Sequence, residues 1–163
     1  MQSSYAPSSY DDHDCLKPSL LLWLAVLYLS RAIVMPIVMG MGSYIGVNND
    51  ALRMFRDLWS VQALLPSALA ALVFAALVRR APGASRPMRW IWTHGRMFLC
   101  TAAILDLILS VMPLARIGEL NDQTVPSLLA AVVDLYFLLY LLVARRVRDT
   151  FSDFPPHLDA PKK

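Results

Sequence analysis

Four apolar stretches separated by polar segments dominate the pattern of the chain. They cover residues 20–40, 60–78, 97–114 and 125–143. At a rise of about 1.5 Å per residue, each is long enough to cross a hydrocarbon layer of roughly 30 Å, the third only just. Because the stretches are continuous and do not alternate, they predict membrane helices and not barrel strands. We therefore predict an all-α membrane protein with a bundle of four transmembrane helices in residues 20–144.

The two ends of the chain differ from this middle part. Residues 1–19 and 145–163 are polar and carry prolines, which predicts two cytoplasmic tails with little stable structure. The first apolar stretch starts late, follows an acidic segment and has no clear cleavage site, so we expect it to be retained as a span and not removed as a signal peptide.

Basic residues predict the orientation in the membrane. Eleven of the fifteen Lys and Arg residues lie in residues 1–19, 79–96 and 145–163, and with four spans these three segments share one side. The opposite loops contain only Arg53, Arg56 and Arg116. The positive-inside rule therefore places both termini in the cytoplasm. The net charge of +3 reflects this topology, and it gives no reason to expect a nucleic-acid partner.

Three charged residues interrupt the apolar stretches. Arg31 lies about 16 Å into the membrane from the cytoplasmic side, and Asp106 and Asp134 lie at about 14 and 15 Å. Isolated charges at this depth are costly, so such groups face inward and find partners. The planar guanidinium of an arginine can bind two carboxylates. We therefore predict a charge cluster in which Arg31 contacts Asp106, Asp134 or both.

Two further features concern the helices around this cluster. Pro36 lacks the N–H that would bond the Ala32 carbonyl, which predicts a kink one turn beyond Arg31. Two carboxyls facing one guanidinium leave a surplus negative charge, so one aspartate is expected to hold a proton. In the second span, small residues recur every four positions and predict a close packing face. They are Ala63, Ser67, Ala71 and Ala75.

The sequence contains no recognisable catalytic or metal-binding motif. His13 and Cys15 form only half of a zinc-ligand set, and no second pair with suitable spacing follows. Nothing matches a phosphate loop, a nucleophile elbow or a zinc-protease helix. We predict no cofactor, no metal and no enzymatic activity.

Three short motifs resemble a known family. They are "YDDHDCLKPSLLLWL" at residues 10–24, "LSRA" around Arg31 and "FSDFP" at residues 151–155. Together they resemble the YfeZ-like group of small bacterial inner-membrane proteins. This resemblance implies a four-helix protein of the inner membrane of a Gram-negative bacterium, and it implies no activity.

Two functions remain open at this point. The first is a structural or accessory membrane protein that acts through partners or as an oligomer, with the charge cluster holding its helices together. The alternative is a minimal proton-linked transporter or permeation unit in which the same cluster exchanges protons. A continuous polar path through the bundle would favour transport, whereas a dry, closed cluster would favour the structural role.

Overall fold

The part of the chain that the structure describes is helical. The structure is a computed structural model, and it describes residues 5–6, 9–10, 15–45, 61–80, 83–116 and 124–155. Within these ranges there are seven α-helices, a short 3₁₀ turn at Val61–Ala63 and no strand, and an isolated antiparallel bridge joins Tyr10 and Leu16. The helices are α1 (Leu20–Leu29), α2 (Arg31–Ile45), α3 (Leu64–Val78), α4 (Arg86–Thr93), α5 (Gly95–Arg116), α6 (Thr124–Val143) and α7 (Arg145–Ser152).

Two of these helices are long and apolar enough to cross a membrane by themselves. They are α5, over Gly95–Met112, and α6, over Val125–Val143. Helices α1 and α2 pass the same test only as a pair, and they are bent by 80° at the break between them. Helix α3 is apolar but has only 15 residues. Within the described residues, two or three helices are therefore long and apolar enough to cross a membrane, where the apolar pattern predicts four.

The first apolar stretch is broken at Ser30, between α1 and α2, where the sequence predicts no break. The Ser30 hydroxyl donates to the Val26 carbonyl at 2.8 Å and to the Leu27 carbonyl at 3.2 Å, which satisfies the end of α1. Pro36 lies inside α2, beyond the break. A serine hydroxyl that bonds backbone carbonyls in this way is a known cause of helix bending, whereas the kink at Pro36 stays a prediction.

Helix α5 is the centre of the packing. It contacts α1, α3, α4, α6 and α7. Ala102 and Ala103 of α5 are fully buried, as are Ala70 and Ala76 of α3. Small side chains at these positions let neighbouring helix backbones approach closely, which is how membrane helices gain packing contacts. Larger residues complete the core on either side: Leu22, Val26, Leu29, Val73, Leu99 and Leu141.

The predicted packing face of the second span coincides only in part with the buried face of α3. Ser67 is buried, Ala63 and Ala71 are half-buried, and Ala75 is exposed. An α-helix has 3.6 residues per turn, so each four-residue step drifts by about 40° around the helix axis. The buried face follows the alternating spacing of three and four residues instead: Pro66, Ser67, Ala70, Val73, Ala76 and Leu77.

Both ends of the chain contain ordered structure, contrary to the prediction for the tails. The amino-terminal segment, α4 and the carboxyl-terminal segment meet at one end of the helices. We call this assembly the terminal cap; it comprises residues 5–6, 9–10, 15–19, Arg80, α4 and residues 145–155. Cys15 and Leu16 in its amino-terminal part are each only 3% exposed. The prediction was wrong because the tails bury their few apolar side chains against each other and against α4.

Trp92 is at the centre of the terminal cap. Its side chain is 0% exposed. Its indole N–H is shared between the carbonyls of Thr150 at 3.2 Å and Asp153 at 3.1 Å. The Phe151 ring packs against the indole at a centroid distance of 4.9 Å. The tryptophan thus joins α4 to the carboxyl-terminal segment.

Arginine side chains bind backbone carbonyls throughout the terminal cap. Arg80 donates to the Leu16 carbonyl at 2.8 Å and to the Asp153 carbonyl at 2.9 Å, which links both tails to the end of α3. Its guanidinium also lies over the Trp92 ring, 4.9 Å from the centroid. A side-chain hydrogen bond also joins the two tails directly: the Tyr5 hydroxyl donates to the Asp149 carboxylate at 2.8 Å.

Candidate functional site

The charge cluster lies beside the break between α1 and α2. Arg31 is the first residue of α2, and its Nη1 lies 2.6 Å from Oδ2 of Asp106 on α5. The same nitrogen donates to the Tyr28 carbonyl at 3.3 Å, and the guanidinium lies over the Tyr28 ring, 4.3 Å from its centroid. The Asp106 side chain is 5% exposed and that of Arg31 is 30% exposed. The predicted contact between Arg31 and an aspartate is therefore present.

Asp134 on α6 is the second carboxyl of the cluster, and it is bound differently. It is 0% exposed, and its Oδ2 accepts a hydrogen bond from the Ser110 hydroxyl at 3.1 Å. Its Oδ1 accepts no hydrogen bond from the residues that the structure describes. Asp134 lies close enough to Arg31 and Asp106 for their charges to act on it. The structure thus answers a question that the sequence leaves open, because the ion pair forms with Asp106.

Tyr28 connects α1 to α6 beside the cluster. Its hydroxyl donates to the Ala130 carbonyl at 3.4 Å, and its ring packs against Phe137 at a centroid distance of 5.3 Å. Together with the Arg31–Asp106 pair, this contact means that polar groups of α1, α2, α5 and α6 meet in one place.

Ser67 bridges the helix break from the side of α3. Its hydroxyl accepts from the Ala32 N–H at 3.2 Å and donates to the Leu29 carbonyl at 2.8 Å. These two backbone groups flank the break, and both bonds are buried. A backbone polar group buried without a partner costs free energy comparable to a lost hydrogen bond. Ser67 therefore stabilises a discontinuity that an apolar environment would otherwise disfavour.

The sequence predicts the charged members of this site but not the polar residues around them. The sequence pattern does not predict Tyr28 or Ser30 as part of the site, and it predicts Ser67 only as a small packing residue. The spacing of these residues in the sequence could have indicated their contacts, because Tyr28 precedes Arg31 by three residues and Ser110 follows Asp106 by four. On a helix such spacings place side chains on one face.

Comparison with known proteins gives the family of the chain. The sequence model of the family described as "Protein of unknown function (DUF2919)" matches residues 5–153. The chain belongs to this family. No curated protein and no solved structure matches it.

The family match covers both regions described above. Residues 5–153 include the charge cluster and nearly all of the terminal cap. An uncharacterised family is what the three short motifs imply. Two of these motifs also contain residues of the terminal cap, since "YDDHDCLKPSLLLWL" includes Cys15 and "FSDFP" includes Phe151.

Proposed function

We propose that the chain is a small integral protein of the bacterial inner membrane, a structural or accessory component that acts through partners or as an oligomer. The observation that carries this proposal is the 2.6 Å ion pair between Arg31 and Asp106, which joins two separate apolar segments. The role of the pair is to fix helix packing. The proposal assigns no enzymatic reaction to the chain. It also includes the narrower likeness of the chain to the YfeZ-like group.

Four crossings are part of the proposal. The short turn Val61–Ala63 precedes α3 directly, and at helical and 3₁₀ rises the two together reach about 28 Å. This length is close to the thickness of a hydrocarbon core. We count the bent pair α1 and α2 as one broken span, because broken helices at membrane depth occur where other protein groups satisfy the backbone, as Ser67 does here.

The position of the basic segments supports termini in the cytoplasm. Parts of the three segments that together hold eleven of the fifteen Lys and Arg residues converge in the terminal cap, where Arg80 binds the Leu16 and Asp153 carbonyls. They therefore lie on the same side of the membrane, and the positive-inside rule makes that side the cytoplasm. Reporter fusions after residue 163 and in the 83–85 loop should both report a cytoplasmic location. A periplasmic signal from either fusion would contradict the topology.

The packing role predicts a specific pattern of loss and recovery. Arg31→Leu leaves the buried Asp106 without its cation, and removing one partner of a buried pair costs about 3 kcal/mol. Arg31→Leu combined with Asp106→Asn leaves no unpaired charge, so it should recover much of the folded yield. The control is Leu27→Ala, at a position 40% exposed, which should have little effect. Equal yields of the single and double variants would contradict a packing role.

Partner binding can be tested with the same variants. The tagged full chain is captured from membranes in mild detergent and the bound proteins are identified. If the cluster acts only on packing, the double variant should retain the partners of the wild type. A double variant that folds but loses them would show that the charges themselves take part in the function.

A second candidate is a proton-linked permeation unit, and Asp134 is the observation that favours it. Buried carboxyls inside membrane segments mark proton relays in many pumps and transporters. The measurement is the proton flux into lipid vesicles that contain the purified chain. Flux above that of protein-free vesicles, and lost in Asp134→Asn, would support the permeation unit. Flux equal to that of protein-free vesicles would reject the permeation unit and leave the structural role as the remaining candidate.

A further inference from the structure

The charge cluster contains two carboxyls but a single guanidinium. Arg31 directs its Nη1 to Asp106 and to the Tyr28 carbonyl. Within the described residues, Asp134 forms no ion pair. The titratable and charged groups that face Asp134 are Tyr28, Arg31 and Asp106, one cation against one carboxylate. The ionised pair therefore has no net charge left to offset a second carboxylate.

Asp134 is in an environment that disfavours a charge. It is 0% exposed and lies in the middle of the apolar helix α6. Transfer of an unpaired carboxylate to a low-dielectric region is unfavourable, and a carboxyl group avoids this cost by keeping its proton. The neighbouring Asp106 carboxylate adds a repulsion of like charges.

Few hydrogen bonds reach Asp134: the Ser110 hydroxyl donates to its Oδ2, and its Oδ1 has no partner among the described residues. A backbone carbonyl only accepts, so the single proton of the Tyr28 hydroxyl is used by the Ala130 carbonyl. An ionised Asp134 would compete for this proton, because hydrogen bonds to a carboxylate are the stronger ones. Asp134 therefore receives one hydrogen bond, from Ser110, which is fewer than the two oxygens of a buried carboxylate need.

We infer that Asp134 is a neutral carboxylic acid in the resting protein and forms a membrane-embedded proton-binding site, whereas Asp106 is the ionised partner of Arg31. The inference rests on the membrane placement proposed above, and it supplies the ligand of the second candidate function. It does not depend on transport, because a buried acid can hold a proton without conducting it.

Infrared spectroscopy tests the inference on the full chain in lipid vesicles at neutral pH. Labelling aspartate with ¹³C at the side-chain carboxyl separates its bands from those of the lipid esters. Exposed aspartates are ionised at neutral pH, since their ordinary pKa is about 3.9. We expect a band of a protonated carboxyl in the wild type, lost in Asp134→Asn and retained in Asp149→Asn. Absence of the band in the wild type, or its survival in Asp134→Asn, would overturn the inference.

A second variant covers the case in which Asp134→Asn does not fold. Asp134→Glu keeps an acid at the position but without the label, so the labelled band should disappear and an unlabelled one should replace it. A labelled band that persists in Asp134→Glu would assign the proton to another aspartate and overturn the inference.

The outcomes separate this inference from the packing role of the ion pair. Recovery of the Arg31→Leu/Asp106→Asn variant with no protonated-carboxyl band in the wild type would reject the proton on Asp134 and leave the packing role intact. A protonated-carboxyl band in the wild type, together with no recovery of the double variant, would support the proton on Asp134 and reject the packing role.

Discussion

The charge cluster and the terminal cap are built in opposite ways. In the cluster, a few polar groups meet inside apolar helices, and the Arg31–Asp106 pair at 2.6 Å is their strongest contact. In the cap, a few apolar groups meet inside polar segments, with Trp92 fully buried at the centre. In each region, the side chains that hold the segments together are those whose polarity is opposite to that of their surroundings. The comparison also shows that arginine serves both, binding a carboxylate in one and backbone carbonyls in the other.

The largest expected effect is on the cap, at Trp92. Trp92→Ala removes a fully buried indole and its shared hydrogen bond, and we expect a loss of about 3 to 5 kcal/mol in unfolding free energy. The measurement is denaturation in detergent, with Trp90→Ala as the control because Trp90 is 57% exposed. Equal losses in the two variants would show that the cap contributes nothing to global stability and would remove the basis for the comparison.

A smaller effect is expected where α5 contacts α7 at the edge of the cap. A Cβ added at Gly95 would lie 2.5 Å from Cε1 of Phe151, so the buried ring would have to move. We expect Gly95→Ala to cost about 2 kcal/mol by overpacking. The control is Gly83→Ala, where the added Cβ meets nothing within 4 Å. Phe151→Leu in the Gly95→Ala background should recover part of the loss, and failure to recover would assign the cost to another cause.

The helix break of the cluster region should be less sensitive to a single change. Ser67→Ala removes two hydrogen bonds at the break, and we expect a loss of about 1 to 2 kcal/mol. Ser67→Leu should cost more because the site is buried, whereas Ala75→Leu on the exposed face should cost little. A larger loss for Ala75→Leu than for Ser67→Leu would show that the four-residue face, and not the buried one, packs against another helix.

The smallest expected effect concerns the reactivity of a cysteine in the terminal cap, which can be measured without destabilising the cap. Burial raises the pKa of the Cys15 thiol, and the nearby Asp153 carboxylate adds to this effect. Only the thiolate reacts with alkylating reagents, so a raised pKa means slow modification at pH 8. In a Cys100→Ser background, we expect Cys15 to react at least tenfold more slowly than a cysteine at exposed Ser85, measured by mass spectrometry. Equal rates would show that the amino-terminal segment does not pack against the cap.

Much of the apolar helical part could be predicted from the sequence. The apolar stretches that correspond to α5 and α6 are located within two residues, because hydrophobic length and composition are properties of the local sequence. Arg31, Asp106 and Asp134 were identified because charges are costly in apolar segments and therefore stand out. Equal depth along separate helices is also readable, since the helical rise is constant.

Only the tertiary structure decided which groups meet. The sequence leaves Asp106 and Asp134 equivalent as partners of Arg31, and the choice depends on the rotation of α5 and α6 about their axes. The bend at Ser30 depends on a hydroxyl supplied by Ser67, a residue of another helix. The cap depends on contacts between residues more than 130 positions apart, such as Leu16 and Asp153. Local pattern determined which segments are apolar and where charges are costly, while pairing, bending and capping depend on the side chains that distant segments bring into contact.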